Sequence, residues 1–221
     1  MTMTNFFLSI IDGLYAFTVS IGIPSHGLAI ILISIIVKVV MFPLTRMQAK
    51  SMKAMQELQP KIDKIKKQYS NDKEKLNVET AKLYQENKVN PMASCLPLLL
   101  QFPIIIALFS AMRAYFVPEL NAGFFWIPNL GEPDLWILPI LAGLSTFVQQ
   151  KVTMAGQTQT GSQASQQKTM LYIMPVFMAW ISRSFPAGLA LYWFMYNVIS
   201  TIEQLFIQGK LKWKRGEETA K

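Results

Sequence analysis

Residues 27–44 read GLAIILISIIVKVVMFPL, a run with a single charge, Lys38. An apolar stretch of about this length is what a helix needs to cross the ~30 Å hydrocarbon core of a bilayer, so it reads as a transmembrane span. The run ends at Met41-Phe42-Pro43-Leu44, where proline marks a boundary. Further along, apolar stretches recur at about 95–116, 135–150, 169–181 and 189–207. Pro97 and Pro103 should kink the second span, which membrane helices tolerate when neighbours satisfy the freed carbonyls. The tight link Ser184-Phe185-Pro186-Ala187-Gly188 makes the last two spans a hairpin. The chain of 221 residues is 52% hydrophobic, so it is long enough for five spans and one polar insert.

Loop charge sets the orientation. Arg46 to Lys88 carries eleven Lys and Arg residues, while 118–134 carries none and has Glu119, Glu132 and Asp134. Lys151 and Lys168 flank the third-to-fourth loop, and the C-terminal end carries Lys210, Lys212, Lys214, Arg215 and Lys221. The positive-inside rule places the 46–90 insert, that loop and the tail in the cytoplasm, with the N-terminus outside. Residues 5–23 are apolar at helical spacing (Phe6, Phe7, Ile10, Leu14, Phe17, Ile21) with Asp12 as the one charge. An additional span would put this uncharged end inside, so the segment is expected to lie on the outer interface as an amphipathic helix. No Lys/Arg-rich region precedes it, so it does not resemble an intact secretory signal. His26, in the turn that follows, is expected to be solvated.

In the 46–90 insert lysines alternate with Met52, Met55, Leu58, Ile62, Ile65 and Tyr69, one apolar stripe on a basic helix. Ser70-Asn71-Asp72 is a turn signal, and Lys73 to Lys88 forms a second helix with Leu76, Leu83 and Tyr84 apolar. A helical hairpin follows, with Pro60 bending its first arm. It either packs on itself and on headgroups or offers a docking surface through Lys53, Met55, Lys61, Lys64, Lys66 and Lys67. These two readings are compatible.

Polar residues inside the spans are functional candidates because each is costly in lipid. Lys38 lies toward the cytoplasmic end of its span, so it either snorkels to headgroups or faces a polar site. Ser34 lies one turn before it on the same face. Gln101, Ser145, Thr146, Gln149, Gln150, Asn197, Ser200, Thr201 and Glu203 occupy later spans. Singly, each is commonly a helix–helix hydrogen bond. Together they predict a wet, cytoplasm-facing cavity that keeps Lys38 charged and attracts acidic flanks of a substrate.

Catalysis is not indicated. One histidine cannot supply a two-histidine metal site, no intramembrane histidine is available to activate a serine, and no phosphate-cradling glycine motif occurs. No metal, cofactor or catalytic residue is assigned, and the single Cys95 allows no internal disulfide. The net charge of +8 fits a ribosome or an anionic membrane better than DNA, given lysines interleaved with apolar residues beside spans. A small-solute transporter or channel lined by Lys38 and Glu203 is the rival reading, weakened by five unequal spans without an inverted repeat.

Several stretches together resemble the bacterial members of the YidC/Oxa1/Alb3 membrane insertases. They are Phe42-Pro43-Leu44-Thr45, Ser51 through Ile62, Tyr84 through Pro91, Leu96 through Pro103, and Phe185-Pro186-Ala187-Gly188-Leu189-Ala190-Leu191-Tyr192-Trp193 with Asn197. The resemblance covers about residues 27–210 in order. It implies an all-α membrane protein with five transmembrane helices around a hydrophilic groove, an N-terminal interfacial helix (1–25) and a cytoplasmic helical hairpin. The five-span body would be 26–210 and the basic tail 211–221. The groove would be open to cytoplasm and lipid, with Ser34, Ile105, Thr146, Gln150 (or Gln149), Tyr192 and Trp193 lining it. Tyr192 and Trp193 would provide either a sliding surface for a substrate helix or ordinary packing. The family's groove cation is usually arginine, and Lys38 at the matching position keeps the charge without the bidentate fork. The resemblance further implies nascent membrane proteins, the ribosome and the Sec translocon as partners, and a bacterial cell membrane location. The short chain is similar to the Gram-positive type.

Overall fold

The computed structural model describes residues 3–89, 96–116, 122–155 and 162–219, with side-chain surroundings for 3–89, 102–116, 122–154 and 169–209. Seven helices follow one another: α1 (Met3–Ser20), α2 (His26–Gln68), α3 (Lys73–Glu86), α4 (Leu96–Tyr115), α5 (Ile137–Ala155), α6 (Ser162–Ser182) and α7 (Ala187–Thr219). Among the described residues there is no strand beyond one isolated bridge, Phe124 with Ile127. Cys95 and the tail's last two residues lie outside the described residues.

The apolar runs expected as spans are helical, with differences at their ends. Pro43 does not end the first one: α2 continues through Pro43 and Pro60 for 43 residues, so the first span and the first arm of the hairpin are one helix. Proline removes only the N–H that would reach Val39, and the bonds on either side carry the helix past it. The fourth span, short on hydropathy alone, gains length because α6 begins at Ser162 in a polar stretch. The fifth runs unbroken into the basic tail as far as Thr219.

Capping explains where the helices start. Ser25 precedes α2 in extended backbone, and its hydroxyl accepts from Leu28 N at 3.2 Å. Asp72 does the same for α3 through Lys75 N at 3.0 Å. Asp134 caps α5, accepting from Trp136 N and Ile137 N at 2.8 and 2.9 Å. The turn from α1 to α2 needs Gly22, whose φ is +80°.

The core gathers Ile11 of α1, Ile30 and Ile33 of α2, Leu108 and Met112 of α4, Leu138 of α5 and Tyr192 of α7, together with Leu130 from the loop before α5. That loop closes one end of the helices. Its carbonyls at Leu130 and Glu132 each accept at 2.8 Å from the first amides of α7, Gly188 N and Ala187 N. The contact at Gly27 is close enough that a β-carbon there would clash with the Phe124 ring. Phe125, Trp126 and Trp136 of the same region are exposed.

His26 is not a free turn residue. Its ring stacks on Tyr15 with centroids 3.8 Å apart, and Tyr115 and Phe116 lie at 5.8 and 6.0 Å. It therefore joins α1, α2 and α4. Burial lowers its pKa from the ordinary value of 6.5, and the Asp12 carboxylate partly opposes that shift.

Outside the core the helices display large apolar side chains: Val39 and Val40 on α2, Ile106 on α4, Ile140 on α5, Val176 and Trp180 on α6, and Ile202 on α7. An apolar surface spread over so many helices is what lipid, not water, covers. Among the described residues α2 alone is long and apolar enough to cross a membrane by itself, and Phe102–Tyr115 and Thr169–Ser182 are shorter apolar helical stretches.

The hairpin is present. α3 returns along α2, and Leu58 and Ile62 are buried between them. The middle of the apolar stripe is thereby covered by the second arm.

Candidate functional site

Two polar sets meet on α7, and residue spacing decides which neighbour each faces. Trp193 and Asn197 are one turn apart and turn toward α5. Tyr196 and Glu203 are two turns apart on the face toward α2.

On the α5 side, Thr146 is the hub. Its hydroxyl donates to Ala142 O at 2.7 Å and accepts from Trp193 Nε1 at 3.1 Å and Asn197 Nδ2 at 2.9 Å. Asn197 also donates to Ser145 Oγ at 3.2 Å, and Ser145 donates to Ala142 O at 3.0 Å. Farther along, Gln208 Nε2 donates to Val152 O at 2.9 Å. The small residue Gly143 lets α5 approach α6 closely, because a β-carbon there would stand 2.9 Å from both Ala179 Cβ and Pro175 O. Neutral polar groups thus satisfy one another across the seam, beside an opening of about 290 Å³ that Ser145 and Thr201 help to line.

On the α2 side, Lys38 Nζ meets Glu203 Oε2 at 2.5 Å. The ammonium also lies 4.7 Å from the centre of the Tyr196 ring. Lys38 is 5% exposed and Glu203 9%. The Lys38 ammonium is therefore turned into the helices, where a carboxylate from α7 holds it. Beside the pair is an opening of about 340 Å³ lined by Lys38, Val39, Phe42, Ile199, Ile202, Glu203 and Phe206. Val39, Ile202 and Phe206 are among the exposed residues of their helices, so the opening gives onto the outer, apolar surface.

The other expected site residues are dispersed around these sets. Ser34 is fully buried, and its hydroxyl donates to Ile30 O at 2.7 Å within its own helix. Tyr192 is 1% exposed, so its ring packs in the core and offers no sliding surface. Trp193 is half-buried and tied to Thr146. Ile105 is half-buried on α4 and is not among the residues lining the opening at Lys38. Gln149 donates to Thr153 Oγ1 at 3.2 Å, and both Gln149 and Gln150 are half-buried. The Gln101 side chain lies outside the described residues. In the hairpin Lys61, Lys64 and Lys67 are exposed, while Lys53, Met55 and Lys66 are half-buried.

Sequence reading counted Glu203 and Asn197 among the polar residues of the expected cavity, and set Glu203 beside Lys38 in the rival pore reading. It did not pair them with Lys38 and Thr146, and it passed over Tyr196. The available signal was the placement of Glu203 late in an apolar span, the one acidic counterpart to Lys38 in the spans. Among the described residues no group of three or more His, Cys, Asp or Glu side chains is placed to hold a metal.

Apolar outer surfaces, a basic hairpin at one end, and polar or charged groups gathered between helices define an all-helical membrane protein with a polar interior. The 60Kd inner membrane protein family matches residues 17–215. The chain belongs to that family, the YidC/Oxa1/Alb3 proteins. It is 43% identical over 187 residues to the membrane protein insertase YidC of Fusobacterium nucleatum, covering 84% of this chain and 87% of the relative. It is 42% identical over 191 residues to the membrane protein insertase MisCA of Bacillus subtilis, covering 84% and 71%. The crystal structure of an active YidC insertase with its first transmembrane domain resolved matches with a TM-score of 0.67 at 28% identity. That match covers 90% of this chain and 45% of the other.

Proposed function

We propose that this chain inserts hydrophobic segments of nascent proteins into the bacterial cell membrane, and that the opening between α2 and α7 is where a client segment meets it. The insertase reading follows from its relatives. The observation that supports the location is Lys38. It is a charge held inside the helices yet set in the wall of an opening whose rim is apolar and faces outward. Such a place offers a polar flank an ionic partner while the apolar part of the same client lies against Val39, Ile202 and Phe206. The apolar path a flank must cross is thereby shortened. No bond is made or broken, so the activity is non-catalytic.

The accompanying topology has five spans: the first part of α2, then α4, α5, α6 and the first part of α7. α1 lies on the outer interface, where Phe6, Phe17 and Ile21 are exposed. The exposed aromatics Phe125, Trp126 and Trp136 suit the outer headgroup level at the N-terminal end of α2. The basic hairpin, at the other end of that long helix, is then cytoplasmic. Its exposed Lys61, Lys64 and Lys67 face the ribosome, and the Sec translocon is a further partner of the same surface.

A photo-crosslinker at Ile202 should capture a stalled nascent membrane segment. The same probe at Trp180, on the outer face of α6, should capture lipid. Lipid capture alone at both positions overturns the location.

A further inference from the structure

We propose that Glu203 is a specificity-determining residue: it is the resting counter-ion of Lys38, and the carboxylate of a client's flank must displace it to reach the ammonium. This rests on the reading of the α2–α7 opening given above.

The two members of the pair are held unequally. Lys38 has two partners, the Glu203 carboxylate at 2.5 Å and the Tyr196 ring at 4.7 Å. Among the described residues, neither oxygen of Glu203 accepts a hydrogen bond from a hydroxyl, amide or indole. Among the described residues its one ion pair is with the ammonium. By contrast, on the next seam every hydroxyl of the Ser145–Thr146 pair is engaged. A carboxylate with no second donor gives way more readily than a cation with a second face. When a third charge enters, Glu203 is therefore the mobile member. It also forms part of the wall of the opening, beside Ile202 and Phe206, so its flexible side chain can swing toward the space a client enters by.

The same carboxylate sets what the opening favours. A lone buried ammonium strongly attracts acidic flanks and repels basic ones. A close pair of opposite charges has no net charge, so at a distance its two fields largely cancel. Glu203 thereby reduces the advantage of acidic clients and leaves neutral and basic flanks admissible. It also keeps Lys38 compensated while no client is bound, which avoids an isolated charge among apolar side chains. Without Glu203 the preference becomes steep.

The test uses the full chain in liposomes and three single-span reporters that differ only in the outer flank: acidic, uncharged or basic. Glu203→Gln should raise the acidic-to-basic insertion ratio roughly five- to tenfold, the size expected from uncovering one charge at a water-accessible distance. Lys38→Gln/Glu203→Gln should bring the ratio to that of a neutral opening. An unchanged ratio in Glu203→Gln, together with a changed ratio in Lys38→Gln, overturns the role of Glu203 while leaving that of Lys38. Unchanged ratios in all three variants overturn the reading of the opening itself. Should Glu203→Gln fail to accumulate in the membrane, Glu203→Asp carries the test. Its carboxylate is drawn back by one methylene, so the ratio should move in the same direction by a smaller factor, and an unchanged ratio there counts against the proposal.

Discussion

Helix α7 has two polar faces, and they differ in kind. Toward α5 it presents Trp193 and Asn197 to Ser145 and Thr146, all neutral, in a chain of hydrogen bonds between 2.7 and 3.2 Å. Toward α2 it presents Glu203 to Lys38, two formal charges at 2.5 Å beside an apolar-rimmed opening. The first face is complete without outside help. The second is compensated, but among the described residues its carboxylate has the ammonium as its one ion-pair partner. Both members of the pair line an opening, whereas Ser145 alone of the first set borders one. Neutral groups that satisfy one another hold helices together, whereas a charge with one partner is available for exchange.

The comparison can be broken by removing one member from each seam. Lys38→Met strands the Glu203 carboxylate and should destabilise the protein by about 3–5 kcal/mol, whereas Lys38→Met/Glu203→Met should recover most of that loss. Thermal unfolding in detergent checks both. Equal losses in the single and the double variant would mean that the pair is not coupled. Asn197→Ala removes two donors from the α5 seam, but Ser145 and Thr146 retain their bonds to Ala142 O. It should cost about 1 kcal/mol by the same measurement. It should also leave the acidic-to-basic client ratio unaltered, because no charge is changed.

The smallest expected effect lies outside both seams and serves as a control. The pKa of His26 is below its ordinary 6.5 because burial disfavours the charged ring. The unfolded segment then binds a proton more readily than the folded one. Stability from this packing is present above about pH 6.5 and is lost as pH falls through the folded value. The protection of α1 amides, taken relative to the base-catalysed intrinsic exchange rate at each pH, should therefore fall on acidification from about pH 8 to about pH 5. His26→Phe, which keeps a ring for Tyr15, should remove that dependence.

Much of the fold was legible because it follows from local patterns. Apolar runs became helices, and the stretch after the Ser70-Asn71-Asp72 turn folded back as the second arm of a hairpin. The caps at Ser25, Asp72 and Asp134 were not read from the sequence. Pro43 misled because a proline is a strong boundary signal in sequence but costs a helix only one hydrogen bond and a local clash. A helix anchored on both sides of it continues. His26 misled because nothing near it in sequence indicates that Tyr15 and Tyr115 converge on it. At the site, Lys38 and Thr146 were recognisable as unusual because charge and hydroxyl stand out in apolar runs. The partners were not, since each lies on a helix distant in the chain. The burial of Tyr192, on the same helix as the half-buried Trp193, likewise follows from which side of α7 the core occupies.

By itself, then, the sequence determined that this is a helical membrane protein, which stretches are helical though not where each helix ends, which loops are basic, and that it carries one conspicuous cation in its first apolar run. These properties depend on local composition and periodicity, which a chain displays before it packs. The tertiary structure alone decided that Glu203 neutralises that cation, that Asn197 and Trp193 close on Thr146, and that α7 presents a different chemistry to each neighbour. Those outcomes depend on the rotation of each helix about its axis and on which helices become neighbours, and packing of the whole core sets both.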